Sequence, residues 1–503
     1  MKDLHKFPGG LHLEGFKQLT CELETLPAII PERLVFPLTQ HIGSRSIPVV
    51  QIGEYVLKGQ LIARPGSYVS SAIHASSSGV IEDIGIHPIA DGTMGECIVI
   101  KTDGKDLWGE KMPPLDYLKN SAEILEQRIT DSGIIGMGGA GFPSHVKVIE
   151  GADEKVDTLI INGVECEPYI TCDDRLIRER PEEILTGTKI LQKITGAKEC
   201  VLAVEDDMPA SYKSLIDVAD TKDLNIVKVP AIYPAGGEKQ LIRTLTGKWV
   251  PSHGLPIQLG VLVQNVATVA AIFRAVAAGE PHISRIVTVA GELDNPRNIE
   301  VLNGTPVGEL LENFQSKPIE NKQTITFGGG MMGKVIETDQ VPVLKKTSCV
   351  LVQTQQLPKK EVSCIRCGDC IDVCPEKLQP QMLVAMAKKT DLDSLREYRL
   401  FDCIECRCCD QVCPSHIPLV QNFQNAKAVI TEQDDARRRA EKSKSRYLAR
   451  NRRLEREKEK KSSHKKKSSI VPDKNDLQAE VLAAIRRSKA KKSRKIKSAQ
   501  KSS

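Results

Sequence analysis

Eight cysteines limit what this chain can be. Residues 364–375 read CIRCGDCIDVCP and residues 403–414 read CIECRCCDQVCP, and both follow the spacing C-x2-C-x2-C-x3-C-P. In that run three closely spaced thiolates clasp one face of a 4Fe–4S cube, and the fourth ligates the other cube. The rule assigns Cys364, Cys367, Cys370 and Cys413 to one cluster, and Cys403, Cys406, Cys409 and Cys374 to the second. Cys408 is a competing thiol, but only Cys409 keeps the gap to Cys413. Zinc would take two C-x2-C knuckles and four ligands in all, which two sets of four in this rhythm argue against. Pro375 and Pro414 end the ligand loops by denying a backbone N–H. His416 follows the second set, and with four thiolates assigned it is expected at the surface.

The other seven of the 15 cysteines (Cys21, Cys97, Cys166, Cys172, Cys200, Cys349 and Cys408) are scattered, and a chain of 503 residues needs no disulfide staples. Reduced thiols and a cytoplasmic compartment are expected. The first dozen residues carry no apolar export segment. The most apolar long window, 259–279, is interrupted by Gln264, Asn265 and Arg274, so no membrane span is expected and the chain itself cannot carry ions across a bilayer. The net charge of +5 conceals two opposed parts. From Arg437 onward there are 26 Lys+Arg against 7 Asp+Glu, a net of +19, which leaves −14 on the preceding body.

Pattern divides the chain into five segments. Residues 1–112 hold a leader and a Gly-, Val- and Ile-rich all-β region. Its stretches GEYVLKGQLIA (53–63) and HASSSGVI (74–81) are similar to the lipoyl/biotinyl-type barrel-sandwich hybrid. Ser76, Ser77 and Ser78 occupy the exposed hairpin where a carrier lysine would stand, so a structural or docking role is expected. Residues 113–280 alternate helical spacing (115–130, 181–195) with buried strands (156–162, 199–204), an α/β pattern. Residues 281–350 contain a strand, a turn on Asp294-Asn295-Pro296, a second strand and a helix opening after Thr305, similar to an SLBB module; GGGMMG at 328–333 reads as the turn out of it. Residues 351–430 start with a linker (351–361) and hold the cysteine runs, with helices expected over 379–389 and 391–398.

The tail, 431–503, reads as a solvated charged helix over 436–461 and as disorder over 462–469. An amphipathic stretch follows at 475–487, with Asp476 as N-cap and Leu477, Val481, Leu482 and Ile485 on one face. Nucleic acid is not the expected partner of this tail, which lacks interleaved aromatics. Anionic lipid and a partner protein remain as its uses.

Two loops in the α/β segment carry binding character. GMGGAGFP at 136–143 follows a helix rather than a strand, which excludes a Rossmann phosphate loop, yet its glycines allow close backbone approach to a flat or phosphorylated ligand. NGVECEPYITCDDR at 162–175 leaves the C-terminal end of a buried strand, where open α/β sheets bind ligands. On its residues alone this acidic loop reads equally as a solvated turn.

These loops, with Lys147, GGEKQLI at 236–242 and QNVAT at 264–268, occur in an order that resembles the flavin- and NADH-binding subunit of respiratory complex I. With the barrel-sandwich start and the two cysteine runs, the chain is still more similar to the RnfC family, the C subunits of Rnf-type ion-translocating electron-transport complexes, over roughly residues 7–424. The resemblance implies an α/β multidomain protein: a barrel-sandwich-hybrid β domain, a complex I flavin-subunit-like α/β domain, an SLBB-like module, an α-helical two-cluster ferredoxin domain and a disordered basic tail.

It implies that Gly136, Gly138, Lys147, Asn162, Glu165, Gly236, Glu238 and Asn265 cradle FMN, and that Phe142 and Glu167 receive NADH. Met137, Val164 and Gly237 depart from the complex I pattern, which has an arginine, an aspartate and an acid there. The implied role is electron input through FMN and two 4Fe–4S clusters. The implied partners are integral membrane subunits and a ferredoxin-like subunit, with peripheral attachment at the cytoplasmic face of a bacterial inner membrane. Two alternatives stay open: an iron–sulfur wiring subunit whose flavin fold is vestigial, and a soluble flavin-dependent reductase working alone.

Overall fold

The computed structural model describes residues 4–499 apart from 91, 154, 220–223, 315–322, 356–358 and 469–472. It divides into two units, residues 1–427 and 428–503.

The first unit begins with two small sheets. Strands β1 (Arg33–Pro37), β2 (Ile47–Pro48), β3 (Tyr55–Val56), β4 (Leu61–Arg64), β5 (Ile73–His74), β6 (Gly79–Pro88) and β7 (Met94–Thr102) form a four-stranded sheet in the order β1-β7-β6-β3 and a three-stranded one, β2-β4-β5. Leu34, Phe36, Ile62, Ile73, Ile81, Ile98 and Ile100 fill the space between. The serine run corrects the sequence reading. Ser76, Ser77 and Ser78 are fully buried rather than displayed on a hairpin. Two of the hydroxyls donate inward, Ser77 to Asp106 and Ser78 to Asp103, each at 2.7 Å. Those acceptors come from a distant loop, so local pattern could not reveal them.

The α/β region contains α1 (Ala122–Asp131), α2 (Ser144–Asp153), β8 (Thr158–Gly163), α3 (Cys172–Glu179), α4 (Pro181–Thr195), β9 (Glu199–Glu205), α5 (Pro209–Val218), β10 (Asn225–Val229), α6 (Glu238–Thr246), β11 (Val261–Asn265) and α7 (Val266–Phe273). Helix α1 is shorter than the 115–130 periodicity suggests, with residues 117–120 forming a turn. The sheet order is β10-β9-β8-β11, all parallel. From β8 the chain steps outward to β9 and β10, then returns to β8's other edge as β11. The β8/β11 boundary is thus the switch point at which open parallel sheets form a crevice beyond the strand ends. Asn162 and Asn265 pair across that boundary in the register.

The SLBB-like module has β12 (Ser284–Gly291), β13 (Arg297–Leu302), α8 (Val307–Leu311), β14 (Gln323–Phe327), β15 (Lys334–Ile336) and β16 (Cys349–Thr354), in the order β13-β12-β16-β14-β15. The start of the expected linker is therefore strand: residues 351–354 complete this sheet, and residues 356–358 lie outside the described set. Lys345 is buried and donates to the carbonyls of Ala72 at 2.6 Å and Gly133 at 2.7 Å, tying the β domain to the α/β domain. Burial pushes its ammonium down to about 7.

The cysteine module is helical: α9 (Asp369–Asp372), α10 (Pro380–Lys388), α11 (Leu392–Glu397) and α12 (Cys408–Gln411). Two tail helices follow, α13 (Leu419–Ser468) and α14 (Lys474–Ala499). Residues 462–468, read from composition as disordered, belong to α13, while Ser469 lies outside the described residues. Beyond Ile430 no described side chain of α13 is buried, and charged helix formers with i,i+4 pairs such as Arg437–Glu441 and Arg453–Glu457 support the helix there. Asp476 sits inside the first turn of α14 rather than capping it.

Candidate flavin crevice and cluster sites

At the switch point, side chains from both strand ends hold the surrounding backbone. Asn162 donates Nδ2–H to the carbonyl of Gly236 at 2.9 Å and accepts at Oδ1 from Val164 N–H at 3.0 Å. Asn265 caps α7, accepting from Ala267 N–H, and donates to Asp173 at 2.6 Å. The Gly136 loop closes back on itself through Gly136 N–H to the Phe142 carbonyl at 2.8 Å. It lies against these carboxamides, since a Cβ on Gly138 would come within 3.1 Å of Asn265 Cβ. Gly139 has φ +141° and would meet nothing within 4 Å, so the loop is open there. A Cβ on Gly236 would strike the Val164 carbonyl at 2.5 Å. On α2, Lys147 reaches Glu238 at the start of α6, 2.5 Å away, and both remain partly exposed.

The acidic loop is not a solvated turn. Glu165 is buried and accepts from Asp173 N–H at 3.0 Å and Asp174 N–H at 3.1 Å, capping α3. Burial, then the neighbouring Asp173, pushes its carboxyl up to about 8. The native state therefore keeps a proton that the unfolded chain releases at its ordinary carboxylate value, and stability falls as pH rises from about 4.5 to about 8. Glu165→Gln is expected to remove much of that slope. The check is the urea midpoint at both ends of the window: wild type drops clearly, the variant much less, and equal drops would contradict the assignment.

Glu167 is placed differently. Its carboxylate accepts from Met331 N–H at 3.0 Å and Met332 N–H at 2.6 Å, and a Cβ on Gly329 would collide with its side chain. The 328–333 turn is thus a lid on Glu167. Phe142 is half-buried at the end of its loop. Met137 is buried, with its N–H bound to Thr268 Oγ1 at 3.0 Å, so the loop carries no cation at that position.

The structure gathers Gly136, Gly138, Asn162, Gly236 and Asn265 at the crevice, with Glu165 linked to it through Asp173. Glycine walls, two fixed carboxamides and the Lys147 cation fit a flat, phosphorylated ring system such as FMN.

In the cysteine module, Cys374, Cys403, Cys406 and Cys409 line one cavity with Cys408 and an apolar shell that includes Leu378, Leu383, Ile404, Val420 and Phe423. Cys374, which the spacing rule assigns to the same cluster as Cys403, Cys406 and Cys409, lines this cavity with them. Both ligand loops turn through left-handed backbone at matching positions: Arg366 and Gly368 in the first, Glu405 and Arg407 in the second. Such turns free N–H groups toward sulfur. Leu378 N–H points at Cys374 Sγ (3.3 Å), and Glu405 N–H at Cys403 Sγ (3.4 Å). Arg407, at φ +59°, takes the place of Gly368, a strain of roughly 1 kcal/mol or more. Cys364 and Cys367 are exposed, while Cys370 and Cys413 are half-buried. The donor sets fit two thiolate-held clusters, one buried and one at the surface.

Sequence reasoning missed the residues that join the two sites. Tyr233, three residues before Gly236, donates to the Cys406 carbonyl at 2.8 Å. The leader runs across both parts: Gly10 N–H donates to the Val373 carbonyl at 3.0 Å, Leu11 bridges Tyr233, and Phe16 stacks on Tyr169 at 4.7 Å. Lys17 is half-buried against Glu205 at 2.7 Å, which holds its ammonium well above the usual value despite the desolvation. No spacing or motif signals these contacts, because each partner lies far away in the chain.

Known proteins agree domain by domain. The chain matches the RnfC barrel sandwich hybrid domain over residues 5–105, the Nuo51 FMN-binding domain over 129–274, the SLBB domain over 286–314 and the 4Fe-4S dicluster domain over 363–417. It is 42% identical over 471 residues to the C subunit of an ion-translocating oxidoreductase complex of Pseudomonas aeruginosa, covering 92% of this chain and 61% of that one. To the corresponding protein of Salmonella gallinarum it is 40% identical, covering 96% of this chain and 72% of the relative. The chain thus spans about 61% of the length of the first of these relatives. A chain of an NAD+-reducing [NiFe]-hydrogenase in the H2-reduced state aligns at TM-score 0.43 and 18% identity, over 62% of this chain and 61% of that chain.

Proposed function

The chain belongs to the RnfC family, the C subunits of ion-translocating oxidoreductase complexes, and from that premise we propose that it is the electron-input subunit of a membrane-bound complex, taking electrons from NADH and passing them through FMN and two 4Fe–4S clusters. FMN supplies the exchange between a two-electron hydride donor and one-electron acceptors. In this reading Asn162 and Asn265 orient the ring, and Gly136, Gly138 and Gly236 let backbone approach it closely. Lys147, with Glu238 beside it, pairs with the phosphate. Phe142 and Glu167 receive the dinucleotide, which requires the 328–333 turn to release Glu167.

One observation carries the reading. The cavity of Cys374, Cys403, Cys406 and Cys409 is fastened to the crevice-bearing domain through Tyr233, three residues from the Gly236 carbonyl that Asn162 holds. In this reading the set of Cys374, Cys403, Cys406 and Cys409, tied to the crevice-bearing domain through Tyr233, takes electrons first, and the set of Cys364, Cys367, Cys370 and Cys413, with its exposed Cys364 and Cys367, passes them to a ferredoxin-like partner. No helix among the described residues is long and apolar enough to cross a membrane. Ion movement is accordingly assigned to integral membrane subunits, with this chain attached peripherally at the cytoplasmic face of the inner membrane. The test is a cofactor count on anaerobically reconstituted protein: one FMN released on denaturation, with about eight irons per chain. Iron without flavin would overturn the input role in favour of a wiring subunit.

A further inference from the structure

The electron-transfer reading leaves the second structural unit without a task. Helix α14 carries Leu477, Val481, Leu482 and Ile485, which at about 100° per residue fall within roughly a 140° arc. These residues are 49%, 53%, 56% and 47% exposed. The same face continues into Lys489 and Lys492. The two acids of the helix, Asp476 and Glu480, lie on the opposite side. Across Lys474–Ala499 there are nine Lys+Arg against those two acids.

We propose that α14 is an interfacial anchor that lies in the headgroup region of an anionic phospholipid bilayer. Its aliphatic stripe enters the acyl boundary, and its lysines and arginines meet lipid phosphates. An apolar stripe free of carboxylates on a strongly basic helix is the pattern that binds such surfaces. Lys489 and Lys492, on the stripe's own side, lay their methylene stems along the boundary and raise the ammonium groups to the phosphates. A nucleic-acid site would use aromatics for stacking, and between Arg437 and Ser503 the only aromatic is Tyr447. Apolar burial and charge act together, so both must be present for binding. This inference does not depend on whether FMN or NADH binds.

The test is co-sedimentation of the full chain with phosphatidylcholine vesicles, with and without about a third phosphatidylglycerol, at roughly 0.1 M salt. Binding to the anionic vesicles is expected to be at least about tenfold tighter, at about fivefold per engaged basic residue, and to fade at about 0.5 M salt. Leu477→Asn/Ile485→Asn should weaken it about tenfold or more with iron content unchanged. Lys489→Glu/Lys492→Glu, which leaves the stripe intact, should weaken it at least as far. Equal binding to both vesicle types, unaltered binding by either double variant, or tighter retention by duplex DNA than by anionic vesicles would overturn the proposal.

Discussion

Cys409→Ser is expected to remove about half of the chain's iron, whereas Cys408→Ser should leave both clusters in place. Adjacent thiols, both buried, make this a sharp comparison. Matched geometry favours Cys409. Helix α9 begins at Asp369, one residue before Cys370, and α12 begins at Cys408, one residue before Cys409. The left-handed residues Gly368 and Arg407 stand two places before Cys370 and Cys409. Cys408 therefore takes the position of Asp369, not that of a ligand. The crossed assignment adds a second expectation. Cys374→Ser should leave the same residual electron paramagnetic resonance signal as Cys409→Ser, and Cys413→Ser the same signal as Cys370→Ser. If instead Cys374→Ser matches Cys370→Ser, each run holds its own cluster and the crossing is wrong.

The second large effect lies at the crevice. Gly138→Leu should abolish flavin retention while leaving iron content unchanged, because its Cβ alone would press within 3.1 Å of Asn265 and the rest of the side chain would fill the space beneath the loop. Lys147→Ala should weaken FMN by roughly 10- to 100-fold, the loss of a hydrogen bond to a charged phosphate at about 1.5–3 kcal/mol. Flavin fluorescence released on denaturation reads both. Retention of full flavin by Gly138→Leu would place the cofactor elsewhere; loss of iron together with flavin would mean that the substitution unfolds more than the loop.

How much of this was legible in the sequence depended on how local each signal was. Helix α4 has the bounds that its pattern implies, since Pro181 opens it and Gly196 at φ +66° closes it. The β12 and β13 hairpin was equally readable, from two apolar runs around Asp294-Asn295-Pro296. The four cysteines that the spacing groups, Cys374, Cys403, Cys406 and Cys409, line one cavity, which they share with Cys408. Non-local contacts were another matter. Ser76, Ser77 and Ser78, which the resemblance to the lipoyl/biotinyl-type domain places on an exposed hairpin, are buried, satisfied in part by Asp103 and Asp106. The leader carries no motif that signals its contacts, yet Lys17 reaches Glu205 across 188 residues. Glu167, which the resemblance assigns to the dinucleotide, is held by a glycine-rich turn from another module that no local pattern connects to it.

If electrons enter this chain from NADH at the crevice and leave through the cysteine module, both groups must respond to NADH in turn. An anaerobic NADH titration of the reconstituted full chain, followed in the visible and by electron paramagnetic resonance, tests this most directly. NADH is expected to bleach the flavin band, and signals from both reduced clusters should then appear. Clusters that dithionite reduces and NADH leaves untouched, with the flavin band unchanged, would contradict it.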